Sequence, residues 1–310
     1  MTTLRVATRA SDLALSQSRL VAQRIERELG VRTELVPLKT TGDRLLDVSL
    51  AAFGGKGLFV KEIEEALLSG RADVAVHSAK DLPAAVPAGL ALVAFPERVD
   101  PRDALVARER GARVDALPRG ARVGTGSLRR TAQLRAHRPD LEIVPLRGNV
   151  PTRLRKLETE ALDAVVLACA GLERLDLAAR IDERIAPEIL LPAVGQGTLA
   201  LEARSDDPLA RDLAALNHEP TATSVAAERA FLIGLAGDCT VPLAAFAEAA
   251  DGDGLRLRAL LAASDGGRIL RHDATAPARD AEALGARAAA VILEDGGKGL
   301  LAALRADAER

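Results

Sequence analysis

The segment from Gly124 to Lys156 gathers residues suited to gripping anions. It reads Gly124-Thr125-Gly126-Ser127-Leu128-Arg129-Arg130, then Leu146-Arg147-Gly148-Asn149, then Thr152-Arg153-Leu154-Arg155-Lys156. Between Arg119 and Lys156 the only acids are Asp140 and Glu142, against arginines at 119, 122, 129, 130, 135, 138, 147, 153 and 155. The whole chain has a formal net charge of only -2, so this local cluster points to a specific anionic ligand rather than a generally sticky surface. A guanidinium's planar fork grips a carboxylate or phosphate with two hydrogen bonds. Gly124 to Ser127 reads as the exit of a strand and the start of a helix. Backbone N–H groups there favour anions, and the Thr125 and Ser127 hydroxyls add donors. Leu146 to Asn149 is a second such junction, with Arg153 one turn further on. A plain solvated basic face would not need glycines and hydroxyls at both strand ends.

Three further segments carry reactive groups. Val76-His77-Ser78-Ala79-Lys80-Asp81 sets a base and an acid at a strand end. If Asp81 faces the cationic cleft, it is a carboxylate able to hold a cationic reaction centre and shuttle protons. His77 alone reads as a structural hydrogen-bonding residue. Phe53-Gly54-Gly55-Lys56-Gly57-Leu58-Phe59 is glycine-rich around one cation but lacks the Gly-Lys-Ser/Thr ending of a phosphate-binding loop. It reads as a lid over the cleft, or as a plain loop and helix start. Gly237-Asp238-Cys239-Thr240-Val241-Pro242 puts a cysteine in a tight loop. No base is evident beside it in sequence, as a thiol nucleophile needs. Two distant cysteines and four scattered histidines make no zinc site. Cys239 therefore suits the attachment of a covalent group, while Cys169, beside the apolar Val165-Val166-Leu167-Ala168, reads as packing.

The elements that must position these groups follow from apolar periodicity. Leu4–Thr8, Glu34–Leu38 and Val74–His77 read as buried strands, and Ala14–Leu29 and Leu58–Ser69 as helices ended by Gly30 and Gly70. This βαβαβ order predicts a mostly parallel sheet with ligand loops at the strand ends. Arg98 to Asp103 reads as a crossover or hinge. A second α/β unit spans about Arg122 to Ala168, and Pro187 to Pro192 leads back towards the first. From about Thr221 the pattern changes to a small α+β domain.

A 310-residue chain that is 48% hydrophobic and 28% charged has room for two or three domains with real cores. No apolar run is long enough to span a bilayer, and the N-terminus lacks a signal-peptide pattern, so a cytoplasmic location is expected, without a structural disulfide. Trp and Tyr are absent and Phe numbers five, which counts against single-stranded nucleic-acid binding by base stacking.

Taken together, these residues resemble the porphobilinogen deaminase (hydroxymethylbilane synthase) family. The resemblance runs from Ala7-Thr8-Arg9-Ala10-Ser11 through Gly54–Phe59, Val76–Asp81, Gly124–Arg130, Leu146–Asn149 and Leu191-Pro192-Ala193-Val194-Gly195-Gln196-Gly197 to the Cys239 loop. It implies two periplasmic-binding-protein-like α/β lobes plus a small C-terminal α+β domain. Domain 1 would cover 1-98 and 197-217, domain 2 102-192, and domain 3 220-310. It also implies a transferase that condenses four porphobilinogen molecules onto a dipyrromethane cofactor, joined to Cys239 by a thioether. Each addition loses ammonia, and hydrolysis releases the linear tetrapyrrole hydroxymethylbilane in heme biosynthesis.

The resemblance carries carboxylate-binding roles onto Arg9, Ser11, Lys80, Thr125, Ser127, Arg129, Arg130, Arg147 and Arg153, and includes Gln196 in the site. Asp81 matches the catalytic aspartate, which meets pyrrole nitrogens, assists loss of ammonia and stabilises a positively charged azafulvene. Lys56 falls in a mobile lid and Phe59 packs on the cofactor. The implied protein is a cytoplasmic monomer without metal, nucleic-acid or membrane partner. Gly126 stands where the family often has Ser, Asp238 where Gly is common, and Ala79 where a larger apolar residue is often seen. The alternative, a non-enzymatic two-lobed anion-binding protein, accounts for the arginines but not for Cys239, a third domain or the missing export signal.

Overall fold

The computed structural model describes residues 3–40, 60–236 and 241–308. Lys56, Phe59 and Cys239 lie outside the described residues. The chain begins with β1 (Leu4–Arg9), α1 (Asp12–Leu29), β2 (Thr33–Leu38), α2 (Lys61–Leu68), β3 (Val74–Ser78) and β4 (Leu90–Ala94). It crosses to β5 (Asp103–Ala107), β6 (Arg122–Thr125), α3 (Leu128–His137), β7 (Glu142–Pro145), α4 (Val150–Thr159), β8 (Ala164–Ala168), α5 (Cys169–Glu173) and β9 (Glu183–Ile185). It returns as β10 (Leu199–Arg204), then runs through α6 (Leu209–Leu213), α7 (Glu219–Gly234), β11 (Leu243–Ala249), β12 (Gly254–Ala262), β13 (Ile269–Pro277), α8 (Ala281–Ile292) and α9 (Lys298–Ala308).

Three sheets organise these elements. The first has the order β2-β1-β3-β10-β4, the second β7-β6-β8-β5-β9, and the third is β11-β12-β13. Each lobe's sheet is mostly parallel, as the sequence leads one to expect: four of its five strands run the same way and one, β10 or β5, is reversed. β1 is parallel to β2 and β3, but β10 is antiparallel to β3 and β4. Likewise β6 is parallel to β7 and β8, while β5 is antiparallel to β8 and β9. The reason lies in the two crossings between lobes. β10 begins where β3 ends, with Leu199 opposite Ser78, and β5 begins where β8 ends, with Asp103 opposite Ala168. A strand that enters a lobe at the end where its parallel strands finish must run against them. The crossings therefore deliver Asp103 and the segment before Leu199 to the same edge as the C-terminal ends of the parallel strands.

Local chemistry fixes the elements. Ser11 starts α1, its Oγ accepting from the Ala14 N–H at 3.4 Å. Gly30, at φ 67°, closes the helix and donates to Glu26 O. Each lobe's sheet is buried on both faces. In the first, Val6, Val21, Ile25, Val74 and Leu201 pack on one side and Ala7, Ile63, Leu67 and Ala75 on the other. In the second, Leu105, Val123, Leu134 and Val166 oppose Val106, Leu146, Leu157 and Val165. In the third unit α7 and α8 cover one face of the small sheet through Phe231, Leu257, Leu284 and Ile292. Full burial of such a side chain contributes about 1.5–3 kcal/mol.

Candidate active site

The first lobe supplies one wall at the ends of β1 and β3. Arg9, Ser11, Gln17, His77, Ser78 and Asp81 line a cavity of ≈ 50 Å³. β3 ends in a single 3-10 turn, Ala79–Asp81, which holds Lys80 and Asp81 outward. Beneath it His77 is buried, with Nε2 3.0 Å from Glu202 Oε2 of β10. Ser78 Oγ and the Gln17 amide exchange hydrogen bonds at 3.0 and 3.2 Å, which fixes the floor beside Asp81. His77 is thus the structural hydrogen-bonding residue that the sequence suggested.

The second lobe supplies the other wall at two strand-to-helix junctions. At the first, Arg129 and Arg130 open α3 and are only 5% exposed. Both turn onto Asp103 at the start of β5. Arg129 Nη1 donates to Asp103 Oδ2 at 2.7 Å and to Leu191 O at 2.6 Å. Arg130 Nη2 donates to Asp103 Oδ1 at 2.6 Å and its Nη1 to Val166 O at 2.9 Å. Burial alone would raise the Asp103 carboxyl, but the two guanidiniums hold it well below the ordinary carboxylate range. Two cations share one anion, so the cluster keeps a net positive charge. Thr125 is buried, and its Oγ1 accepts from the Ser127 N–H at 3.3 Å. Ser127 starts the helix without a capping hydrogen bond from its side chain.

At the second junction Asn149 caps α4, accepting from the Thr152 N–H at 2.9 Å. Arg147 is exposed, while Arg153 is half-buried and donates from Nε to Gly148 O at 2.7 Å. The two junctions touch. A Cβ on Gly126 would lie 2.5 Å from Leu146 O, so the backbone leaves no room for a side chain there in this chain.

The walls meet electrostatically. Burial, then the charge of Arg130, brings the Arg153 guanidinium down to about 10, with Asp81 partly offsetting them and Arg147 adding to the repulsion. Lys80 reaches solvent along the cleft, yet surrounding protein desolvates its ammonium. With the repulsion of Arg130 and Arg129 this brings it to about 8, against the pull of Asp81 and Asp103. Asp81 of the first lobe therefore interacts with its neighbour Lys80 and with Arg153 of the second. Gln196, on the returning crossing, donates from Nε2 to Pro101 O at 2.7 Å and to Asp103 Oδ1 at 3.1 Å, and accepts from Lys80 Nζ at 3.5 Å. Arg174 adds a second tie between lobes, with Nη2 on Gly197 O at 2.7 Å and its own carbonyl accepting from Ser16 Oγ at 2.6 Å.

The structure thus brings Arg9, Ser11 and Asp81 to one cavity, and Lys80, Gln196, Arg129 and Arg130 to one charged cluster. Arg153 and Arg147 stand within electrostatic reach. Asp103 was missed in the sequence, although an acid leading the apolar Ala104-Leu105-Val106-Ala107 is itself a signal of a buried partner. Cys169 is buried, and burial pushes its thiol up to about 12, which fits inert packing. Among the described residues no cluster of His, Cys, Asp and Glu is arranged to hold a metal, and no helix is long and apolar enough to cross a membrane.

Comparison with known proteins places the chain in a family. Residues 4–212 match the family model described as "Porphobilinogen deaminase, dipyromethane cofactor binding domain", and residues 222–294 match "Porphobilinogen deaminase, C-terminal domain". A porphobilinogen deaminase of Syntrophotalea carbinolica is 52% identical over 303 residues, 97% of this chain and 96% of that one. A porphobilinogen deaminase of Geotalea daltonii is 49% identical over 301 residues, 96% and 94% of the two chains. Among solved structures, a periplasmic substrate-binding protein of an ABC transporter from Coxiella burnetii is similar at a TM-score of 0.43. It is 14% identical, over 73% of this chain and 96% of that one. With both family models in order and half of all positions identical over nearly the whole length, the chain belongs to the porphobilinogen deaminase family.

Proposed function

We propose that this chain joins four porphobilinogen molecules head to tail onto a dipyrromethane carried by Cys239, and releases hydroxymethylbilane by hydrolysis. The reaction is a transferase step of tetrapyrrole (heme) biosynthesis. The observation that carries the assignment of roles is the setting of Asp81. It is a carboxylate at the mouth of the Arg9–Ser11 cavity, coupled to Lys80 of its own lobe and Arg153 of the other.

The donor set fits a polycarboxylate that carries pyrrole N–H groups. Each pyrrole brings an acetate and a propionate, and Arg9, Ser11, Lys80, Ser127, Arg147 and Arg153 offer four cations and two hydroxyls for them. Arg129 and Arg130 supply the positive field behind, Gln196 links Lys80 to Asp103, and Thr125 shapes the first junction. Lys56 and Phe59 complete the proposed site. The dipyrromethane, when bound, supplies the free pyrrole α-carbon to which the first unit is joined. Asp81 is the acceptor for pyrrole N–H groups. As the aminomethyl C–N bond breaks and ammonia leaves, its negative charge offsets the positive charge that spreads over the substrate pyrrole. A C–C bond then forms from that methylene, and the α-proton is lost. The cations hold each new pair of carboxylates, so orientation is set before each step.

The three sheets support the division into 1-98 with 197-217, 102-192 and 220-310. We further propose a cytoplasmic monomer, the setting that the family resemblance implies.

Intact-protein mass spectrometry with a turnover assay tests the reading. The purified chain is expected to carry the mass of two pyrrole units, absent from Cys239→Ser. Asp81→Asn is expected to keep that mass and lose nearly all turnover. An unmodified chain with full turnover would overturn the attachment, and near-normal turnover of Asp81→Asn would overturn the role of Asp81.

A further inference from the structure

Helix α7 carries Glu228 and Arg229 side by side within Ala226-Ala227-Glu228-Arg229-Ala230-Phe231, an acid and a base in an otherwise apolar stretch. Consecutive helical residues point about 100° apart, so the two side chains leave the helix in different directions. Glu228 is fully buried. It accepts from the Gly195 N–H at 2.6 Å, from the Ala247 N–H at 2.9 Å and from Arg98 Nη1 at 2.6 Å. Arg229 reaches the first lobe, where its Nη2 donates to Pro83 O at 3.1 Å and to Ala84 O at 2.9 Å.

Both contacts converge on the turn that holds Asp81. Gly195, fixed by Glu228, has φ 68° and lies directly against Ala79 and Lys80. A Cβ added there would sit 2.9 Å from Ala79 Cβ, 3.1 Å from Ala79 C and 3.2 Å from Lys80 N. The Ala79 end of the turn is therefore braced through Gly195, and the Ala84 end is held by Arg229. Asp81 sits between them.

Arg229 is a poor choice for stability alone. It binds two carbonyls rather than a carboxylate, and its Nη1 is buried with no hydrogen-bond partner among the described residues. Burial pushes its guanidinium down, only partly offset by the charge of Glu202. An unpartnered buried donor destabilises the fold, because it gives up its hydrogen bond to water and gains none. A cation kept at such a cost, on the helix that leads in sequence to Cys239, is explained by what it holds in place.

We propose that Arg229 is a positioning residue, which with Glu228 registers the Asp81 turn against the helix leading to Cys239. This rests on the reading of Asp81 given above. Asp81 is then referenced to a helix of another domain, the one that leads in sequence to Cys239. Misplacement of a reacting group by about 1 Å can cost on the order of 100-fold in rate, so a clamp on a short turn has a large effect available to it.

The test uses the full chain with Arg229→Met, Arg229→Lys and Gly195→Ala. Each is measured for intact mass, for hydrogen–deuterium exchange of the 79–84 peptide, and for kcat and KM with porphobilinogen. Arg229→Met is expected to keep the two-pyrrole mass, to exchange faster at 79–84, and to lose about 10- to 100-fold in kcat with KM within about twofold. Arg229→Lys restores part of that loss. Gly195→Ala lowers kcat from the other end of the turn with no change of charge. Parental kcat in Arg229→Met, a kcat loss with unchanged exchange, a loss carried by KM alone, or no rescue by Lys overturns the proposal. If Arg229→Met does not accumulate, Arg229→Lys and Gly195→Ala decide by the same readouts. Full turnover by Asp81→Asn would instead remove the reading of Asp81, while the exchange data would still report whether the clamp exists.

Discussion

The two strand-to-helix junctions of the second lobe look alike in sequence and differ in what they do with their arginines. At the β6–α3 junction Arg129 and Arg130 turn inward onto Asp103, and Ser127 makes no capping hydrogen bond. At the β7–α4 junction Asn149 caps the helix, Arg147 is exposed, and Arg153 is anchored by Nε to its own loop carbonyl. The first junction is a buried charge cluster that sets a field. The second is a capped helix start whose guanidiniums are less buried, which suits the proposed carboxylate binding. Similar motifs thus differ in setting, because only the first sends its arginines to the strand that crosses from the other lobe.

The largest effect separating them is at Asp103. Asp103→Asn leaves Arg129 and Arg130 buried without their counter-ion and is expected to cost about 3–5 kcal/mol, read as a fall in the urea midpoint. The sign of the pH dependence follows from the depressed carboxyl. Its stabilisation is fully present above the unfolded value of about 3.9 and is lost as pH falls towards the lower folded value. The parent should therefore lose stability more steeply below about pH 4 than Asp103→Asn does. Arg153→Met, at the other junction, should keep the parental midpoint and weaken porphobilinogen binding. A parental urea midpoint for Asp103→Asn would erase the distinction between the junctions.

Asp103 also marks where reading the sequence stops. The arginines, the glycines and the order of most strands and helices were legible, since each depends on local spacing. The strands Leu4–Arg9, Thr33–Leu38, Val74–Ser78 and Ala164–Ala168 fall where the apolar runs are. β5 and β10 were not legible as antiparallel members, because their direction depends on how the chain crosses between lobes. For the same reason the counter-ion of Arg129 and Arg130 could not be named. It comes from 26 and 27 residues upstream, beyond any helical or strand period. Glu228 and Arg229 were hidden differently. They read as ordinary charges on a helix, and only the packing of α7 against Gly195 and the Pro83–Ala84 carbonyls gives them a task.

A smaller effect sharpens the comparison at the caps. Asn149→Ala removes the acceptor for the Thr152 N–H and is expected to destabilise the protein by about 1 kcal/mol. Ser127→Ala removes no capping hydrogen bond and should leave the urea midpoint within about 0.5 kcal/mol of the parent, the range of a substitution away from such features. If Ser127 meets a substrate carboxylate, its loss appears instead as a higher KM. Equal destabilisation by the two variants would mean that the junctions are held in the same way.

The smallest effect tests whether the buried cluster reaches the ligand through its field. Lys80 of the first lobe feels Arg130 and Arg129 as repulsion, after the larger desolvation by the protein around it, and its ammonium is brought to about 8. Above that pH it becomes neutral and no longer attracts a carboxylate. The KM for porphobilinogen should therefore rise as pH passes through about 8, by about two- to fivefold, the size of an ion pair that solvent still reaches. Lys80→Met should show the higher KM at every pH with no such rise. Lys80→Arg, which stays charged throughout the range, should keep a low KM and lose the alkaline rise. A parental KM that stays flat from about pH 7 to about 9, or a rise that persists in Lys80→Arg, would sink the assignment of that titration to Lys80. The buried arginines would then act only within their own lobe.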